Sequence, residues 1–125
     1  MQHSPGFMAL VESAKMKIRE VGVEEVEKKL ERGDLFFFVD TREDDEWHKG
    51  KCRGAIHIGK GVIERDIEEK IPDKNAEIVL YCGGGFRSAL AAEALMQMGY
   101  NNVFSMAGGI REWQAHDLPI EPDDK

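Results

Sequence analysis

The stretch that most constrains this 125-residue chain runs from Ile78 to Met98 and reads IVLYC, GGGFRS, ALAAEALMQM. Ile78, Val79, Leu80 and Tyr81 form an unbroken apolar run, the pattern of a strand buried on both faces. Leu90, Ala91, Ala94, Leu95 and Met98 then recur at helical spacing. Between the two lie Cys82, Gly83, Gly84, Gly85, Phe86, Arg87 and Ser88. Strand, tight loop and helix in that order put a thiol at the carboxyl end of the strand and beneath a helix N-terminus. Three glycines let the backbone curl with φ > 0 and aim successive N–H groups at one point. Those groups, the helix dipole and the Arg87 guanidinium all favour negative charge there.

A cradle of that sign suits a thiolate, the nucleophilic form of cysteine and a minor species of a free thiol at neutral pH. It suits equally an anion built onto the sulfur. Cys82 is therefore expected to act as a nucleophile whose product stays negatively charged. A cysteine closing an apolar strand can instead be a small buried hydrophobe, and isolated glycines often mark ordinary turns. Here three glycines, an arginine and a helix start follow the thiol directly, which favours reactivity. A nucleotide phosphate loop would need Gly-Lys-Ser/Thr ahead of the helix, and that is absent.

With its continuation, CGGGFRSALAAEALMQMGYNNVFSMAGGIREW, this stretch resembles the catalytic half of a rhodanese, the sulfurtransferase domain. FFFVDTREDDEW resembles the same family's strand ending in Asp-x-Arg-Glu, and GKCRGAIHI stands where the family usually shows Gly-His-Ile-Pro-Gly-Ala. In that last segment Lys51 replaces a frequent His and Arg53 a Pro. The resemblance spans about residues 18–118, with the motifs in the family's order.

It implies a rhodanese-like α/β fold, a central parallel five-stranded sheet with helices on both faces, and a sulfurtransferase activity. Cys82 would carry a sulfane sulfur as a persulfide. Backbone N–H groups from Gly83 to Ser88 would hold its terminal sulfur, and Arg87 would pin the loop. Thiosulfate or a persulfide would be the donor. Cyanide, a thiol or a protein, including a sulfur-relay partner, would be the acceptor. Neither a metal nor a cofactor is implied beyond the covalent persulfide. A monomer or a homodimer is compatible with all of this.

Loop length separates the nearest alternative. Cysteine phosphatases, including those of this fold, carry Cys-x5-Arg, whereas Cys82 and Arg87 are separated by four residues, which puts a phosphatase or arsenate reductase reading second. A non-catalytic binding module of the family is a further reading, though such modules commonly lack the cysteine. The loop GGGF also lacks the extra Lys or Arg that many thiosulfate-using relatives place there.

Elsewhere the chain alternates short strands and helices, which implies a parallel sheet with ligands beyond the carboxyl ends of its strands. Ser4-Pro5 is a fair helix start, and Phe7, Leu10, Val11, Ala14 and Ile18 fall on one face. Residues 1–17 are thus expected to form a helical extension packed on a domain of residues 18–119, with 120–125 a polar, frayed tail. Strands are expected at 18–21, 35–39, 55–58, 78–81 and 103–106, and further helices from Val23, Val62 and Gly108-Gly109. Asp40 and Arg42 end the second strand on the site side and are expected to tie loops together by hydrogen bonds. Thr41 is expected to cap a short helix bearing Glu43, Asp44, Asp45 and Glu46, acids suited to its N-terminal dipole. Trp47 is expected in the core, as is His57. Cys52 is expected to be structural, with a resolving-thiol role as the alternative.

Net charge is −7, from 17 basic and 24 acidic side chains, and no basic stripe exists to hold nucleic acid. Two cysteines make no disulfide framework, and neither a signal peptide nor a membrane-length apolar run is seen. A reducing cytoplasm suits a chemistry that needs a free thiol.

Overall fold

A computed structural model describes residues 3–123. Its elements are α1 (Pro5–Lys15), β1 (Arg19–Val21), α2 (Val23–Arg32), β2 (Phe37–Asp40), α3 (Asp44–His48), β3 (Lys51–Cys52) and β4 (Ile56–His57). There follow α4 (Ile63–Lys70), β5 (Ile78–Tyr81), α5 (Phe86–Gln97), β6 (Val103–Met106), α6 (Gly109–Ala115) and β7 (Ile120–Glu121). Five strands form one sheet in the order β1-β6-β5-β2-β4, with every pairing parallel.

The apolar run that opens this reading is β5, the middle strand, and all four of its residues are fully buried. Period-two alternation divides them between two cores. Ile78 and Leu80 join Val39, Ile63, Ile67, Ala91, Leu95 and Val103, beneath α4 and α5. Val79 and Tyr81 join Val23, Val26, Phe38, Met106, Ile110 and Trp113, beneath α2 and α6. A strand with a core on each face tolerates no polar substitution, and truncating Leu80 to Ala would cost about 2–5 kcal/mol.

The N-terminal extension is helical and lies along α5, burying Val11 and Ala14, while Ile18 packs on the core. Leu10, expected on the buried face, is instead 62% exposed. The second strand begins later than its apolar run suggests. Leu35 stands outside it and is 95% exposed, because the chain is still turning out of α2 when it passes that position. Trp47 is half-buried, stacked face to face on His57 at 4.8 Å between ring centroids.

The tail also departs from expectation. Ile120 and Glu121 form β7, paired antiparallel with Cys52 and Lys51 in a second, two-stranded sheet. A polar composition hid this pairing, whose bonds are made by the main chain. Residues 124–125 of that tail, and residues 1–2 of the extension, lie outside the described residues.

Candidate active site

Cys82 follows β5 at its carboxyl end, and Phe86 opens α5 four residues later. Within this turn the Cys82 Sγ accepts the Gly85 N–H at 3.2 Å and the Ser88 N–H at 3.4 Å. The Ser88 hydroxyl lies 3.6 Å from the sulfur and 2.8 Å from the hydroxyl of Ser105 on β6. Two backbone donors and the start of a helix thus converge on one sulfur atom, an arrangement that stabilises negative charge on it. Cys82 itself is only 1% exposed.

The three glycines serve different ends. Gly85 alone has a positive φ, +95°, and a Cβ there would lie 3.1 Å from the Gly108 nitrogen. Gly83 and Gly84 have no positive φ, and guanidinium groups lie against them. A Cβ on Gly83 would stand 3.1 Å from an Arg87 nitrogen, and one on Gly84 would stand 3.1 Å from an Arg111 nitrogen.

The first turn of α6 anchors the loop from behind. Ile110 N–H donates to the Cys82 carbonyl at 2.9 Å, and Arg111 N–H donates to the Gly83 carbonyl at 3.0 Å. Two otherwise unpaired helix N–H groups are satisfied in this way. With their carbonyls turned toward α6, the following residues present N–H groups to the sulfur. The approach is close enough to exclude a side chain at Gly109, whose Cβ would collide with the Cys82 carbonyl and lie 2.6 Å from that of Gly83.

The Arg87 side chain leaves the loop toward α3. Its guanidinium forks onto Glu46 of α3, at 2.7 and 3.1 Å. That hydrogen bond, opposed by some burial and aided by the Glu43 N–H, pulls the Glu46 carboxyl down to about 2. Arg87 is held above its usual value by Glu46 first, and also by the facing Cys82 sulfur. Its charge is therefore largely spent on Glu46. Phe86 points the other way, ringed by His3, Phe7 and the Lys15 ammonium, so α1 closes over the outer side of the loop.

Asp40 and Arg42 are brought together, but away from the sulfur's own hydrogen-bond set. Arg42 binds both Asp40 oxygens at 2.8–3.0 Å and the Gly50 carbonyl at 2.6 Å. Burial opposes the Arg42 charge, and Asp40 overcomes it, leaving the group above its usual value. The pair thus joins the end of β2 to the turn before β3. Thr41 does not cap α3. Its hydroxyl donates to the Tyr81 carbonyl at 2.9 Å, and Glu43 takes the cap, with Glu46 accepting the Glu43 N–H at 3.0 Å. Cys52 is fully buried in β3, where burial pushes its thiol up to about 12, an environment for packing rather than exchange.

A cleft of about 670 Å³ lies beside the carboxyl ends of β2 and β4, lined by Arg42, Glu43, Asp44, Asp45, His57 and Asp66. Cys82 does not line it. Among the described residues no group of three His, Cys, Asp or Glu side chains is placed to hold a metal ion. Sequence reading does not bring Glu46, Ser105, Gly109 or Arg111 to the site, although Gly109 is legible as part of a helix start. Glu46 is legible as one acid of a cluster whose capping role explains it without Arg87.

Fold and site together define an α/β protein with a buried cysteine between its central strand and a helix N-terminus, its sulfur accepting two backbone N–H groups. A rhodanese-like domain model matches residues 22–116, and the chain belongs to that family. It is 34% identical over 103 residues to a sulfurtransferase of Allochromatium vinosum, covering 82% of this chain and 94% of that one. To the thiosulfate sulfurtransferase PspE of Escherichia coli it is 33% identical over 75 residues, 60% of this chain and 71% of the other. It spans about half, 51%, of the Bacillus subtilis relative YrkF, at 30% identity over 96 residues. A solved Rhodopseudomonas palustris protein of unknown function, described as a possible tyrosine phosphatase, superposes with a TM-score of 0.82 at 26% identity, covering 97% of this chain and 98% of that one.

Proposed function

We propose that this protein is a sulfurtransferase that carries sulfane sulfur on Cys82. The observation that carries the reading is the Cys82 sulfur held by the Gly85 and Ser88 N–H groups, a cradle built for a sulfur-centred anion. In the first half-reaction the Cys82 thiolate attacks the outer sulfur of thiosulfate or of a persulfide. The donor's S–S bond breaks and sulfite, or a thiolate, leaves with the bonding electrons. In the second, a nucleophilic acceptor (cyanide, a thiol or a protein) takes the terminal sulfur and returns the thiolate. The anion hole is preorganised, and no general base is needed once the thiolate has formed. A reducing compartment such as the cytoplasm would keep Cys82 free. Among the described residues no helix is long and apolar enough to cross a membrane.

The test is intact-protein mass spectrometry after incubation with thiosulfate, beside Cys82→Ser. The expected result is a gain of one sulfur atom in the wild type, reversed by cyanide and absent from the variant. A wild type that takes no sulfur from thiosulfate or from a persulfide donor would overturn the reading. The phosphatase description of the Rhodopseudomonas neighbour favours a second reading, tested with an aryl phosphate. Against it stand the four-residue loop interval and the Arg87 fork, which Glu46 already occupies. A binding module would keep its partner affinity in Cys82→Ser.

A further inference from the structure

Two hydroxyl groups sit in the interior beside the nucleophile, and the stability of the fold does not account for them. Ser88, the third residue of α5, and Ser105, the third of β6, are both fully buried. Period-two alternation along β6 sets Ser105 on the same face as Val103, which joins the core of Leu80, Ala91 and Leu95. The other buried polar side chains are satisfied by a charge or by main-chain carbonyls. Asp40 and Arg42 bind each other, Thr41 donates to the Tyr81 carbonyl, and Lys51 donates to that of Ala55. Ser88 and Ser105 instead have each other, at 2.8 Å between oxygens, and the Cys82 sulfur, 3.6 Å from the Ser88 oxygen. A polar group brought into an apolar interior costs free energy that a neutral hydrogen bond does little more than offset, so the pair adds nothing that two apolar side chains would not.

What the pair can do follows from its protons. A hydroxyl carries one hydrogen and two acceptor positions, and its hydrogen turns about the C–O bond. With Cys82 as a thiol, S–H donates to the Ser88 oxygen and Ser88 O–H donates to Ser105. With Cys82 as a thiolate, both hydrogens turn round: Ser105 O–H donates to Ser88, and Ser88 O–H donates to the sulfur. The bond between the two hydroxyls is kept in either arrangement. In the second, donation from Ser105 polarises the Ser88 hydroxyl and strengthens its bond to the anion.

We propose that Ser105 is a positioning residue for the sulfur chemistry, acting through Ser88 to stabilise negative charge on the Cys82 sulfur. The proposal rests on Cys82 being the nucleophile of the reading above. The proton that Cys82 gives up goes to water, and none leaves the pair. The same two bonds serve again in the second half-reaction. There the S–S bond of the persulfide breaks, the acceptor takes the terminal sulfur, and the bonding electrons return to the Cys82 sulfur as the leaving thiolate. No oxidant or reductant enters. The charged groups around the loop are Arg87 with Glu46 behind it, Arg111 of α6, and the Asp40–Arg42 pair at the end of β2, and a change at position 105 leaves all of them in place.

The experiment follows alkylation of Cys82 by iodoacetamide against pH in wild type, Ser105→Ala, Ser88→Ala and the double variant, with peptide mapping to separate Cys82 from Cys52. Alkylation reads the thiolate without any sulfur donor. In Ser105→Ala the profile should move to higher pH, with a rate about two- to tenfold lower on its rising limb, the range for one hydrogen bond. The plateau at high pH, where every molecule is thiolate, should stay within about twofold of wild type, since access to the sulfur is unchanged. In the Ser88→Ala background the same change should add less than about twofold, because the two hydroxyls act as one unit. An unshifted profile, a lower plateau in place of a shift, or an undiminished effect without Ser88 would overturn the role of Ser105. A wild type alkylated at Cys82 yet loaded by neither thiosulfate nor a persulfide would overturn the sulfurtransferase reading and leave the role of Ser105 in the thiolate standing.

Discussion

Arg87 and Glu46 form one of the contacts at which the loop after β5 meets a different part of the chain. Glu46 is drawn down to about 2 by the Arg87 fork, against an ordinary carboxyl value near ~4.5 in the unfolded chain. Stability from the pair is therefore complete above pH ~4.5 and lost as pH falls toward 2. Each side chain is about a third exposed, 29% and 32%, so solvent screening holds the contribution to about 1 kcal/mol. Glu46→Gln should be less stable than wild type by about that amount at pH 7, and the gap should close near pH 2. Denaturant melts at the two pH values measure this, and a gap of equal size at both would refute it. The residues legible from sequence alone were Cys82 and its immediate followers, because a loop between strand and helix is local. Glu46, Ser105 and Arg111 lie far from Cys82 in the chain, and residue type alone does not reveal which distant side chains meet.

Between elements, the loop after β5 and the first turn of α6 behave as one unit, joined by main-chain bonds from Ile110 and Arg111. Gly109 sits where they touch, with φ +59° and two carbonyls inside any Cβ. Gly109→Ala should lose at least about 2 kcal/mol, since backbone strain and a clash with backbone combine. Gly61→Ala, where a Cβ meets nothing, should stay within about 0.5 kcal/mol. Thermal unfolding of both variants checks the contrast, and similar losses at the two sites would sink the idea. The strands and helices themselves were largely readable, since buried parallel strands and amphipathic helices announce themselves by period. The misses have a common cause. Leu35 is apolar yet exposed, and Ile120-Glu121 is half polar yet paired, because a main-chain ladder depends on the path of the chain more than on side-chain polarity.

At the scale of the molecule, β7 returns the C-terminal segment to β3 and closes the α2–α6 side of the sheet. Pro119 is central to this, accepting Trp113 Nε1–H at 2.9 Å and Arg53 N–H at 3.2 Å. Ending the chain at Leu118 would orphan the buried indole donor and unpair the small sheet. The expected loss is about 1–3 kcal/mol for the indole group alone, with a matching fall in Tm and a change in Trp113 fluorescence. An unchanged Tm would show that the two-stranded sheet contributes nothing.

The loop is tied to α6 through peptide groups, so the exposed side chains of α6 can change without untying it. Position 111 is therefore open to drift. Single codon changes at the exposed positions of α6 can alter the surface beside the loop while the main-chain bonds that shape it descend unaltered. Inheritance of the loop's shape and inheritance of the side chains around it are separable.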